Sequence, residues 1–320
     1  MSSMKVRATA AGFPPAIAMP HVSQLTFTDQ DLAAALFVTG RAPGDEALHG
    51  QASVLEFIHR AALVPAYLRS VAGDRVSRSA LALELDRSEK VNLSYSLGQA
   101  MAGVFAQQRL GVARLMHVDR YAAHFGVSFA AGRQRPDLIG VGTGGWVVIE
   151  AKGRSNAMEA SLPAKLKSQA AMVASIGGAA PWVSLGSIAQ FPPPARELEV
   201  HAIDPPSKAD GLRWEIDRDR LVAAYYAPFV RAIDAGAEFD PVDDGGEFFE
   251  IGDLGSVGVR VGLLREVAGL VRERGDRSTE GLAEEIDAVL EERVHLESVR
   301  PDGSWFETSW DAAFKVRDLE

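Results

Sequence analysis

The chain has 320 residues, is 47% hydrophobic and carries a net charge of −10, so it can bury a large core in one or two domains. It contains no cysteine, which excludes disulfides, thiolate metal sites and cysteine nucleophiles. No apolar run approaches the roughly eighteen residues of a membrane span, and Pro14 and Pro15 interrupt the N-terminal stretch that has a signal-peptide outline, so a cytoplasmic protein is expected.

In chain order, residues 1–28 are rich in Pro and Ala without a period and read as irregular. DQDLAAALFV (29–38) reads as a short helix opening at an Asp cap. EALHGQASVLEFIHRAALVPAYLRSV reads as one or two helices broken at Pro65. SYSLGQAMAGVFAQQRLG predicts a further helix, capped by Ser94 or Ser96 and ended by Gly111. The period then changes to that of strands: ARLMHVDRYAAHFGVSFA, DLIGV and WVVIEAK are apolar or alternating and bounded by Gly or Pro. NAMEASLPAKLKSQAAMVASIGG returns to helix, and WVSLGSIAQF and LEVHAIDPP read as two more strands. Residues 94–206 thus run helix, three strands, helix, two strands, which implies an α/β layer with a mixed sheet. After an acidic stretch, amphipathic helices are expected near 260–274 and 278–293, then a hairpin about Pro301-Asp302-Gly303.

The run GVGTGG places Gly140, Gly142 and Gly145 at dinucleotide-loop spacing. That motif needs a helix directly after its glycines. Here WVVIEAK follows, which is strand-like, so Thr143-Gly144 is read as the tight loop of a hairpin. With that loop, the numbers of paired residues sum to 287. Val141 then faces Trp146, Ile139 faces Val148, and Asp137 faces Glu150. Directly opposed side chains have Cβ atoms about 5 Å apart, and alternation puts Lys152 on the face of Glu150. A three-residue loop would shift the sum by one and separate the three. Two carboxylates that close are unfavourable unless a cation lies between them; oxygen ligands with some freedom suit Mg²⁺ or Mn²⁺. A neighbouring Lys suits orientation of an attacking water, and the set outlines phosphodiester hydrolysis.

These residues, Pro136-Asp137, twelve residues, then Glu150-Ala151-Lys152, resemble the PD-(D/E)XK, or restriction-endonuclease-like, nucleases. The resemblance covers roughly residues 94–206. It implies a restriction-endonuclease-like core, a mixed central sheet flanked by helices, with Asp137, Glu150 and the Ala151 carbonyl as metal ligands and Lys152 as the catalytic lysine. Many members add an acid from the first core helix. Here that helix offers Gln99 at its centre, with Glu84 and Glu89 upstream and Asp119 on the first strand as another possibility. Lys165 and Gln169, one helical turn apart, are accessory candidates. Arg133, Arg135 and Arg154 flank the hairpin as phosphate contacts. His117 and His124 are too far apart for a helical metal pair and are expected to pack on the first strand.

The charge distribution fits a nucleic-acid partner despite the acidic total. Residues 109–167 carry nine Lys or Arg against four acids, a balance of +5, and residues 236–256 hold seven acids and no base. The expected organisation is a helical N-terminal extension (1–93), the nuclease-like core (94–206), and an acidic, mostly helical region with a terminal hairpin (207–320). The N- and C-terminal helices are candidate faces for a protein partner or a second copy. The expected function is metal-dependent endonucleolytic cleavage of DNA, in restriction or anti-phage defence by analogy. The alternative is a catalytically inactive member of the same fold serving as a binding or scaffold subunit.

Overall fold

The computed structural model describes residues 3–40, 52–121, 135–194, 196–205, 210–238, 242–244, 246–275, 278–293, 299–311 and 314. Arg133 and His124 lie outside them. The molecule is mixed α/β, built on a curled, nine-stranded mixed sheet. The sheet comprises β1 (Ser3–Ala11), β2 (Val22–Thr28), β3 (Leu68–Val71), β4 (Arg75–Arg78), β5 (Arg114–His117), β6 (Leu138–Gly142), β7 (Gly145–Arg154), β9 (Val183–Gln190) and β10 (Glu199–Ile203). Their order is β3-β4-β1-β10-β9-β7-β6-β5, with β2 on β1. β8 (Val173–Ile176) instead pairs with β11 (Leu212–Trp214).

The N-terminal segment therefore differs from the expectation of an irregular start to a helical extension. Residues 3–11 and 22–28 are strands, and β1 runs parallel to β10. Met4, Val6, Ala8 and Ala10 alternate inward, as a half-buried strand requires. Helices α1 (Asp29–Val38), α2 (Ala52–Tyr67) and α3 (Ala80–Glu84) follow, interleaved with β3 and β4. α1 opens on a reciprocal cap between Thr28 and Asp31 rather than on an Asp cap.

The long helix α4 (Arg87–Leu110) starts earlier than Ser94 and Ser96 suggest. Asp86 and Glu89 form a capping box, while both serines lie buried in its interior, and Gly111 ends it at φ 62°. β5 covers only four residues; Val118–Tyr121 turn into a short helix, α5, which carries Asp119 off the strand. α6 (Leu162–Ala170) sits on the opposite sheet face from α4, sealed by Leu162, Leu166, Ile188 and Ile203.

The C-terminal third is less helical than its sequence suggests. α7 (Arg218–Ala235), α8 (Arg265–Gly275) and α9 (Leu282–Glu291) pack on a second sheet of β12 (Ala237–Glu238), β13 (Val242–Asp244), β14 (Glu247–Leu254), β15 (Val259–Leu264) and β16 (Ser304–Thr308). The apolar faces of α8 and α9 are buried in a core continuous with that of the central sheet, so they are not open docking faces. No helix among the described residues is long and apolar enough to cross a membrane.

Asp302, expected only as a turn residue, is a buried anchor. Its carboxylate accepts from the Tyr225 hydroxyl and from the Ser304 amide and hydroxyl, and its carbonyl accepts from Tyr226 at 2.8 Å. Asp302→Ala keeps the carbonyl but strands the Tyr225 hydroxyl and the Ser304 donors in an apolar setting, so we expect a loss of about 3 kcal/mol in urea-unfolding free energy. A loss under about 0.5 kcal/mol, the range of ordinary surface substitutions, would refute the anchoring role.

Candidate functional site

β6 and β7, the second and third strands after α4, form the hairpin at which the candidate residues meet. Ile139 pairs with Val148 and Val141 with Trp146, with Thr143 and Gly144 as the loop. Gly145 adopts φ 129°, a conformation that side chains rarely tolerate. The strands diverge beyond the Leu138–Ile149 pair. Asp137, which sits at that fork, turns its Oδ2 to accept the Ala151 N–H at 2.8 Å, while its own carbonyl accepts from Val118. Ala151 thus meets Asp137 through its amide rather than its carbonyl.

Glu150 and Lys152 point to the same sheet face, the one covered by α6. A Cβ on Gly186, the ladder partner of Glu150, would lie 2.7 Å from Leu166, so α6 seals this face close to the carboxylate. Glu150 is 2% exposed. Its Oε1 accepts from Lys152 Nζ, and its Oε2 has no hydrogen-bond partner among the described residues. Burial pushes its carboxyl up to about 7, reinforced by the nearby Asp137 charge and opposed by Lys152. Burial also raises Asp137, against the pull of Lys152 and the Ala151 N–H.

Gln99 lies on α4 with 3% exposure, not on a polar helix face. Its amide stands close enough to Asp137 to favour the charged carboxylate, yet among the described residues neither Oε1 nor Nε2 completes a hydrogen bond. An amide buried with both ends unsatisfied costs about 1–3 kcal/mol for each group, so this one is a candidate to hold a water or a ligand beside Asp137. The helix approaches this closely because of two glycines. A Cβ on Gly98 would lie 2.6 Å from the Gly153 nitrogen, and one on Gly153 would lie 1.6 Å from the Ser94 carbonyl oxygen. Gly98→Ala should therefore cost about 2 kcal/mol by overpacking, overriding the roughly 1 kcal/mol that Ala gains over Gly inside a helix. Urea unfolding tests the sign, and a stabilised variant would contradict this packing.

The remaining candidates scatter around this centre. Arg135 is ion-paired with Asp119, so its charge is already matched. Arg154 ends β7 half-buried, with its Nε unpartnered among the described residues. Lys165 is exposed and Gln169 half-buried on α6, and no bond to either carboxylate is seen among the described residues. Unforeseen in the sequence is a contact at the other side of Asp137: the Tyr95 hydroxyl lies 3.4 Å from Nε2 of the buried His117, whose backbone pairs with Leu138. A separate cavity of about 350 Å³ is lined by Arg114, Arg218, Asp287 and Arg300 and contains none of these residues.

Among the described residues no group of three or more His, Asp or Glu is placed to hold a metal. The available donors are two carboxylates, the Ala151 carbonyl and the Gln99 amide. The open Glu150 Oε2 and the unsatisfied Gln99 amide suit a hydrated divalent cation, which takes one or two protein carboxylates and keeps several waters. Comparison with protein-family models, with curated proteins and with solved structures returns no match.

Proposed function

We propose that the chain is a divalent-cation-dependent endonuclease that hydrolyses DNA phosphodiester bonds, on a core of the restriction-endonuclease-like type. The observation that carries this reading is the buried, half-satisfied Glu150 in contact with Lys152 and set against Asp137 by the Thr143-Gly144 hairpin. Asp137, Glu150 and the Ala151 carbonyl would hold Mg²⁺ or Mn²⁺, with Gln99 near enough to hold a water of its shell. When bound, such an ion supplies Lewis-acid polarisation of a phosphate oxygen and a more acidic water. Lys152 Nζ, fixed on Glu150, orients the water and neutralises charge developing on the phosphate. Arg154 is positioned beside it on β7 to hold a neighbouring phosphate as a backbone contact. The half-buried setting of the fork restricts solvent and strengthens each of these interactions.

A second reading, an inactive scaffold that keeps this core, is favoured by one specific feature: Gln99 stands where a third carboxylate would complete a two-ion site. Mn²⁺ calorimetry on the wild type and on Asp137→Asn separates the two. A nuclease site should bind Mn²⁺ and release protons, because Glu150, pushed up to about 7, still holds part of its proton near neutrality without a cation, and the variant should bind markedly more weakly. No binding by the wild type would leave the scaffold reading standing.

A further inference from the structure

Beyond the end of β9 two arginines are set against each other. β4 and the segment that leads into β10 meet in an antiparallel bridge between Ser77 and Glu197, and the Leu198 N–H donates to the Val76 carbonyl at 2.7 Å. In that register Arg196 stands opposite Arg78, a placement that like charges disfavour. Arg78 is half-buried, with its guanidinium 5.2 Å from the centre of the Phe191 ring. Its Nε is buried and has no hydrogen-bond partner among the described residues. Burial, and then the charge of Arg196, lower the Arg78 guanidinium from its ordinary value, and no carboxylate among the described residues opposes them.

The two acids of the segment are engaged elsewhere: Glu197 pairs with Arg75 at 3.0 Å and Glu199 with Arg7 at 3.3 Å. Alternation along β4 puts Arg75 on the opposite side from Arg78, so Glu197 is turned away from the arginine pair. The segment is also held in place. The Arg196 N–H donates to the Pro192 carbonyl at 2.9 Å, and its own carbonyl accepts from the Ser77 hydroxyl at 3.1 Å. Arg196 takes a left-handed backbone, φ 53°, which glycine or asparagine adopts at lower cost. What the position gains from arginine is therefore its side chain. Two facing guanidiniums without a carboxylate are the converse of two carboxylates without a cation: an anion between them replaces repulsion by charge-assisted bonds. A phosphate group has oxygens enough for both planar forks, whereas one arginine already fills the two oxygens of a carboxylate.

We propose that Arg78 and Arg196 form a binding site for a phosphate group, separate from the carboxylate fork. Phe191 directly follows Gln190, which pairs with Arg154 at the end of β7, so the site lies past the end of the strand that carries Glu150 and Lys152. A phosphate of a nucleic-acid strand and a free phosphate share this chemistry, and neither carries sequence information.

The test is thermal melting in EDTA, with inorganic phosphate against chloride at matched ionic strength, on the wild type, Arg78→Gln and Arg196→Asn. Asparagine tolerates the left-handed backbone, so Arg196→Asn removes the charge without adding strain. In chloride, Arg196→Asn should melt above the wild type, because an unmatched like charge is gone; a lower midpoint would contradict the repulsion. Phosphate at about ten times its dissociation constant should raise the wild-type midpoint by about 2–4 °C through mass action and move neither variant. An equal rise in all three proteins, or none in the wild type, would overturn the site. Anisotropy with labelled oligothymidine in EDTA then identifies the source. If a strand supplies the phosphate, both variants should bind it more weakly, and the slope of log affinity against log salt should fall by about one. Unchanged strand binding, in variants that no longer respond to phosphate, would assign the site to a free phosphate. EDTA keeps cations from Glu150, so failure of this site leaves the nuclease reading standing, and failure of cleavage leaves this site standing.

Discussion

Glu150→Gln is expected to stabilise the fold at about pH 8 and to leave it nearly unchanged at about pH 4. Burial holds this carboxyl at about 7, against an ordinary value of 4.5. Between those two values the folded chain carries more protons than the unfolded one, so stability falls as pH rises through the window and the whole penalty is present above it. A glutamine is neutral at every pH and avoids the penalty, while its side-chain oxygen can still accept from Lys152. The size of the shift sets the gain at about 3 kcal/mol, less whatever Lys152 loses with its partner's charge. Lys152 is 31% exposed, so water replaces much of that. Urea unfolding in EDTA at the two pH values measures the difference. Adding Mn²⁺ should then stabilise the wild type by binding the folded state and do little for the variant. A variant less stable than wild type at both pH values would show that Glu150 is a structural partner of Lys152 and not a strained ligand.

Lys152→Ala should lower cleavage by about 10²–10⁴-fold, the range expected when a positioned proton-transfer group is removed, while Mn²⁺ binding persists and shifts to higher pH as the proton on Glu150 competes with it. The ammonium bonds Glu150 Oε1 and leaves Oε2 open, so its removal takes nothing from the donors that would hold the cation. The remaining carboxyl should hold its proton to still higher pH, since Lys152 is what opposes the effects of burial and of Asp137. Lys152→Arg keeps the charge but presents a planar fork instead of a compact ammonium, and it should recover only part of the rate. Loss of metal binding together with activity would assign Lys152 to holding the site rather than to its chemistry.

The hairpin was legible from the sequence because its information is local. Gly residues flank a two-residue loop, alternation fixes which face each residue takes, and a register of pairs summing to 287 then follows from chain numbers. Gln99 was legible as a position but not in its burial. α4 is enclosed on several sides, by α1, β7 and β9, so a polar residue at its centre has no polar face to occupy. The N-terminal strands were not legible. β1 has an inward row half made of Ala, and its neighbour β10 lies far along the chain, with Arg7 opposite Glu199. β15 was hidden for a different reason: VRVGLLREVAGLV carries helical spacing across a junction where strand passes directly into α8. The Tyr95–His117 contact joins two elements through side chains alone, and nothing local to either residue announces it.

The most direct measurement is a cleavage assay in which purified wild type and Lys152→Ala are each incubated with supercoiled plasmid and with single-stranded DNA and RNA, in Mg²⁺ or Mn²⁺ and in EDTA. We expect the wild type to cut DNA and to stop in EDTA, with cleavage by Lys152→Ala lowered by about 10²–10⁴-fold in every lane. Equal cutting by the two proteins, or an intact substrate under wild type that binds both Mn²⁺ and DNA, would contradict the assignment of Asp137, Glu150 and Lys152 to phosphodiester hydrolysis.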